Sequence, residues 1–268
     1  MKLKRFFLYT ALVLVGLTTF VFLNREILAR RIIFQTSYKY IKTDTFSKYV
    51  VHKKEYFVPC EYDSVHVLKL MVDSSKGTIL YNHGNRGSIQ KWGPVASQFT
   101  KYGYNVVVWD YRGYGRSSGK PTEKNILSDG KIILHHLIKE DSLQNIIVMG
   151  RSLGSGVATY LSNEKNVTKI ILESPYFDLS DVIKYQVPFM GKFIELNILS
   201  YEFIGNFKKP VIILHGKMDK VIPFSSGKKL FLHIKNKDKK MIEFDQGNHN
   251  NLSEYKIYWD SIESLLNA

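Results

Sequence analysis

Apolar and polar positions along the chain fall into three regimes. The first runs from Phe6 to Leu23, eighteen residues rich in Leu, Val and Phe without a charge. As a helix rising about 1.5 Å per residue it spans roughly 27 Å, close to the thickness of a bilayer's hydrocarbon core. The second regime is a series of short, β-branched runs. Glu55 to Cys60 and Val65 to Val72 flank the turn-like Glu61-Tyr62-Asp63-Ser64 and predict an antiparallel pair. Thr78 to Tyr81, Asn105 to Trp109, Asn145 to Met149, Lys169 to Leu172 and Val211 to Leu214 follow. These runs are continuously apolar, as in strands buried on both faces. Helix-like segments separate most of them, one with Ile126, Ile133, Leu134, Leu137 and Ile138 near helical spacing. The pattern predicts the α/β class: a mostly parallel sheet with helices on both faces.

The third regime is a break in that alternation between Ser174 and Lys209. This stretch holds Tyr176, Phe177, Tyr185, Phe189, Met190, Phe193, Tyr201 and Phe203 and is too long for a plain connection. It predicts a small helical cap at about 176–207, over the carboxyl edge of the sheet where ligands bind in open α/β folds. No repeat, low-complexity tract or Pro/Gly/Ser-rich linker divides residues 43–268, so one domain is expected there, after an anchor and linker over 1–42.

Lys2, Lys4 and Arg5 precede the apolar segment, as they would in a signal peptide or an uncleaved anchor. Signal-peptide cores usually run about 7–15 residues, and Asn24, Arg25 and Glu26 follow Leu23 without a small-x-small cleavage site, so a retained single-pass helix is expected. Arg25, Arg30 and Arg31 balance the basic residues on the near side, and the α-amino group tips the count towards a domain outside the cytoplasm. Ile27, Leu28, Ile32 and Ile33 interleave with those arginines, which fits a helix at the headgroup boundary or a plain linker helix.

Composition narrows the function classes. The 268 residues allow the anchor and one α/β domain with a full core. A net charge of +14 favours anionic surfaces. The basic residues are scattered, with no dense tract and no nucleic-acid motif, so lipid is the expected partner and nucleic acid is not. Cys60 is the lone cysteine, which excludes an intramolecular disulfide and an all-cysteine zinc site. It sits in a strand-like run away from any histidine or glycine-rich elbow, where packing is its expected role. Eight histidines are present, but His135 and His136 are adjacent and no His-Glu-x-x-His pattern exists. No metal or cofactor is expected.

The candidate chemistry lies in Gly150-Arg151-Ser152-Leu153-Gly154, between the run ending at Met149 and a helix-like stretch to Leu161. A serine hydroxyl becomes a useful nucleophile when held on a sharp strand-to-helix turn beside a base, and glycines avoid Cβ clashes in that turn. The acid and base then follow in chain order. Asp219 lies past the run Val211 to Leu214, and His249 past Met241 to Phe244, each at the carboxyl end of an expected strand. Ser152, Asp219 and His249 are therefore the expected triad. The backbone N–H groups of Leu153 and of Asn85, in His83-Gly84-Asn85-Arg86-Gly87, are the expected oxyanion donors. Asp178 is a second candidate acid, and Asp245 stands too near His249 in sequence to need the sheet. His135, His136 and His233 fall on helices, and His83 and His215 precede glycines at strand ends, where structural roles are expected.

Together with Tyr81 to Gly87 and Asp110-Tyr111-Arg112-Gly113-Tyr114-Gly115-Arg116-Ser117-Ser118-Gly119, these stretches make the chain after about residue 55 resemble the α/β-hydrolase-domain family, particularly its small membrane-anchored serine hydrolases. The resemblance implies a structural role for Asp110 to Gly115. It also implies hydrolysis of carboxylic esters or thioesters, occasionally amides, of small acyl or lipid-like molecules or acylated proteins, without a cofactor. A peptidase or amidase on the same fold, and a noncatalytic membrane-anchored scaffold, are the competing readings.

Overall fold

Eight strands join one sheet in the order β1-β2-β4-β3-β5-β6-β7-β8. The computed structural model describes residues 2–36, 45–140, 145–191, 196 and 198–267. Helices α1 (Lys2–Leu23) and α2 (Arg25–Ile33) lead into β1 (His52–Cys60), β2 (Asp63–Met71), β3 (Thr78–Asn82), α3 (Ile89–Ser97), β4 (Asn105–Trp109), α4 (Glu123–Glu140) and β5 (Ile146–Arg151). Then come α5 (Leu153–Tyr160), β6 (Val167–Glu173), α6 (Leu179–Gln186), α7 (Pro188–Gly191), α8 (Ser200–Ile204), β7 (Val211–Gly216), α9 (Phe224–His233), β8 (Lys239–Phe244) and α10 (Lys256–Asn267). β2 pairs antiparallel with both β1 and β4, and every other pairing is parallel. The expected α/β class, antiparallel start included, is the architecture found.

Alternation along each central strand divides the core in two. Leu80, Val107, Val148, Ile170 and Ile213 face the layer of α4 and α5, where Ile126, Ile133, Leu134, Leu137 and Val157 are buried. Ile79, Val106, Ile147, Ile171 and Ile212 face the other layer, against Trp92 and Ala96 of α3 and Tyr258 and Ile262 of α10. Cys60 is fully buried, and burial first, then the nearby Asp129 charge, pushes its thiol up to about 12.

The β1–β2 turn is tighter than the four residues expected. Asp63 and Ser64 pair with Cys60 and Pro59, leaving Glu61 and Tyr62 at the tip. Glu61 takes φ +56°, a left-handed conformation that reverses the chain in fewer residues. The stretch expected to form a cap holds the short helices α6, α7 and α8. Phe193 lies outside the described residues, as does the expected anchor–domain boundary at 42–43.

Helix α1 is exposed, none of its apolar window Arg5–Leu23 being buried, at a mean hydropathy of 2.3. A core helix of a soluble domain would be covered. Helix α2 behaves differently. Just beyond its buried Ile33, Phe34 is also covered, and both belong to the same core layer as α4. Arg30 Nε bonds Glu123 Oε2 at 3.1 Å, and Arg86 Nε donates to Gln35 Oε1 at 2.8 Å.

The Asp110–Gly115 loop is held by a buried bidentate pair. Arg112 donates from Nε and Nη2 to the two carboxylate oxygens of Asp129 at 2.9 and 2.8 Å. Its Nη1 reaches Asp63 at 3.3 Å, tying the first hairpin to α4. Removing one partner of a buried pair leaves an uncompensated charge. Arg112→Met is therefore expected to lower unfolding free energy by about 3–5 kcal/mol in urea titrations. A loss under about 1 kcal/mol would count against this role.

Candidate active site

The site sits where the strand order reverses, at the carboxyl ends of β3 and β5, which pair up to Asn82 and Gly150. Beyond Gly150 the chain turns sharply. Ser152 takes φ +52° and ψ −118°, a backbone state rarely tolerated by a residue with a Cβ. The turn leaves no room at its flanks. A Cβ on Gly150 would lie 2.3 Å from Gly154 O, and one on Gly154 would lie 2.1 Å from Asn82 O. Ser152 N–H donates to Glu173 O at 2.9 Å, which fixes the turn to β6.

Two further strand ends converge on the same edge. Past β7, Asp219 is 5% exposed, and its Oδ1 accepts the N–H groups of Val221 and Ile222, both at 2.9 Å. Past β8, His249 donates from Nδ1 to Asp219 Oδ2 at 2.8 Å. An ionised carboxylate is acceptor-only, so the proton lies on Nδ1, and Nε2 accepts from Ser152 Oγ at 3.1 Å. The three residues expected from sequence thus stand in one hydrogen-bonded line. Burial would raise the Asp219 pKa, but hydrogen bonds and charge from His249 and the Ile222 N–H outweigh it and hold it below the ordinary aspartate range.

The competing candidates are accounted for elsewhere. Asp178 caps α6, accepting Ser180 N–H at 2.7 Å. Asp245 is exposed and bridges Lys217 at 2.7 Å. His135 meets Glu164 at 2.9 Å on the surface, His136 lies beside the Tyr56 ring, and His233 packs edge-on against Phe177 and Tyr201. His83 bonds Gly84 O at 2.7 Å through Nδ1. His215 donates from Nε2 to Ile222 O at 3.1 Å, and burial lowers its pKa, keeping the ring neutral behind Asp219. Among the described residues, no group of three or more His, Cys, Asp or Glu is placed to hold a metal.

Leu153 and Asn85 line the same cavity as Ser152. The Asp110–Gly115 loop braces the Asn85 segment: Tyr111 OH donates to His83 O at 2.6 Å, and Tyr114 OH to Asn85 O at 3.0 Å. Sequence reasoning missed Arg151 as a tie between elements. Its guanidinium meets Glu173 at 3.2 Å, donates to His249 O at 2.9 Å and lies over the Trp92 ring. Glu173 in turn accepts from Tyr258 OH at 2.7 Å. Burial disfavours the charge on Arg151, and Glu173 more than restores it.

The cavity has a volume of about 110 Å³ and is partly open to solvent. Tyr176, Leu179, Val182 and Gln186 of the cap region and Val221 and Ile222 line it, as do Ile32, Ile33 and Gln35 from the end of α2. The wall is mainly aliphatic. Of the cap aromatics, Tyr176 lines the cavity, whereas Phe177 and Tyr201 stack on each other at 4.4 Å. The α2 contribution carries no signal in sequence, because an amphipathic stretch of this kind fits a membrane surface and a protein surface alike.

A family described as serine aminopeptidase, S33, matches residues 73–203, which include Ser152 and end before Asp219 and His249. Protein bem46 of Schizosaccharomyces pombe is 31% identical over 214 residues, 76% of this chain and 72% of that one. The lysophosphatidylserine lipase ABHD12 of Danio rerio is 33% identical over 182 residues, 59% of this chain, which spans 47% of that relative's length. Among solved structures, the Pyrococcus furiosus esterase Pf2001 superposes with a TM-score of 0.67 at 23% identity, covering 81% of this chain and 92% of that one. That likeness is one of fold.

The depressed Asp219 pKa makes stability depend on acidity. A carboxylate with a lowered folded pKa stabilises the native state fully above its unfolded value and loses that contribution as pH falls towards the folded one. Wild type and Asp219→Asn are therefore expected to differ in thermal stability by a constant amount at neutral pH, and the gap to close below about pH 4. Melting curves from pH 7 to 3 check this. A gap that stays constant to pH 3 contradicts it.

Proposed function

The chain belongs to the α/β-hydrolase-domain family, and on that premise we propose that it is a serine hydrolase cleaving carboxylic esters or thioesters through an acyl-enzyme. The observation that carries this reading is the line Ser152 Oγ, His249, Asp219, with contacts of 3.1 and 2.8 Å. His249 Nε2 takes the Ser152 proton as Oγ attacks the acyl carbon, while Asp219 holds the imidazole in the required tautomer and stabilises its charged form. The N–H groups of Leu153 and Asn85 receive the developing oxyanion. The alkoxide or thiolate leaves with the proton from His249. Water, deprotonated by the same nitrogen, then releases the acid and restores Ser152.

The aliphatic cavity beside Ser152 favours acyl or lipid-like substrates, a class to which the substrate named for the lipase relative also belongs. The exposed α1 acts as a single-pass anchor, with the domain outside the cytoplasm because the N-terminus is basic. The matched family's description favours a second reading, an aminopeptidase on the same machinery.

A fluorophosphonate probe is expected to label the full-length protein in detergent, and Ser152→Ala to abolish both labelling and ester turnover. Asp219→Asn, which presents the wrong tautomer of His249, is expected to cut kcat by about 10,000-fold. Folded wild type that resists the probe sinks the serine mechanism. The p-nitrophenyl esters are expected to turn over faster than aminoacyl amides, and the reverse order would put the peptidase reading first.

A further inference from the structure

We infer that α2 forms a wall of the substrate cavity, and that this cavity takes an acyl chain drawn directly from the bilayer holding α1. The inference rests on the hydrolase reading above and adds the route and the residues that select the chain. Ile32, Ile33 and Gln35 face the same space as Ser152, Leu179 and Val182. That wall is built into the domain. Ile33 is 7% exposed and Phe34 6%. Gln35 pairs by backbone and side chain with Arg86, next to Asn85 in the loop beside Ser152.

Distance along the helix places this wall near the lipid. α2 begins just after α1 ends, and the backbone bonds from Asn24 N–H to Phe20 O and from Leu28 N–H to Asn24 O carry the helical ladder across the junction. Ile32 lies nine residues past Leu23, at most about 14 Å along the axis. A headgroup layer takes up roughly 5–8 Å of that span. An acyl chain leaving the hydrocarbon therefore has a short path to the cavity.

The chemistry of the lining fits such a path. Two of its aliphatic residues reach solvent, Ile32 at 37% and Val221 at 39% exposure, and the exposed Lys220 adjoins Val221. Apolar tips beside an ammonium group suit a surface that dips into anionic lipid. Within the cavity Ile32, Ile33, Leu179, Val182, Val221 and Ile222 offer a hydrocarbon tail an aliphatic wall. The side chain of Gln186 is already engaged, donating to Lys220 O and Val221 O.

The test uses the full-length chain in nanodiscs of phosphatidylcholine and phosphatidylglycerol. A diazirine amino acid at position 32 is expected to crosslink to lipid acyl chains on illumination, and the same group at exposed Leu232 is not. In parallel, Ile32→Trp is expected to lower the ratio of p-nitrophenyl dodecanoate to p-nitrophenyl acetate turnover by about 10-fold, with the fluorophosphonate labelling rate reporting an intact site. If labelling is lost, Ile32→Ala takes its place, with an expected fall of about 3-fold in the same ratio. Absence of lipid crosslinking at position 32, or a ratio that stays within 2-fold of wild type, overturns the inference. Crosslinking does not depend on turnover, so a failure of the hydrolase reading alone leaves that arm positive.

Discussion

The backbone of Ser152 is the constraint on which the rest of the site depends. A serine at φ +52° costs of order 1–3 kcal/mol and persists only where its surroundings over-determine it. Those surroundings are β3, β5 and the start of α5, packed so closely that no Cβ fits at Gly150 or Gly154. The N–H of Ser152 is committed to Glu173 O in the neighbouring strand. Strain at one residue is therefore offset by the fully buried core of the sheet, and the hydroxyl is held towards His249 before any ligand arrives.

Charge does the corresponding work between elements. Arg151, on the last residue of β5, grips the carbonyl of His249 while its own charge is balanced by Glu173 on β6, itself bonded to Tyr258 of α10. One guanidinium thus links the elbow, two strand ends and the C-terminal helix. Asp219 is anchored just as firmly, by two backbone N–H groups on one oxygen and the imidazole on the other. Each member of the line is positioned by contacts independent of the other two.

The parts legible in sequence are those where local pattern and tertiary position coincide. Apolar runs such as Val211 to Leu214, short, β-branched and flanked by Pro210 and Gly216, fit a doubly covered strand better than a buried helix, so the sheet and the residues at its strand ends followed. Ser152, Asp219 and His249 could be placed on one edge for that reason. The hairpin tip was less legible, because a positive φ at Glu61 has no composition signal. The cap was visible as an interruption, but which of its side chains line the cavity was not: Tyr176, Leu179 and Val182 do, while Phe177 and Tyr201 stack on each other. Docking of α2 was not legible, since hydrophobic periodicity tells which face of a helix needs cover without telling what covers it.

The position of Ile33 and Phe34 in the core bears on whether the enzyme can be shed. Burying each such side chain contributes about 1.5–3 kcal/mol, so a protease cutting between them and the cap-bearing body forfeits roughly 3–6 kcal/mol. Domains hold only about 5–15 kcal/mol in reserve. A solubilised fragment starting after Thr36 would carry an open apolar scar where those two side chains had been, and release from the membrane would be a step towards unfolding rather than a change of address.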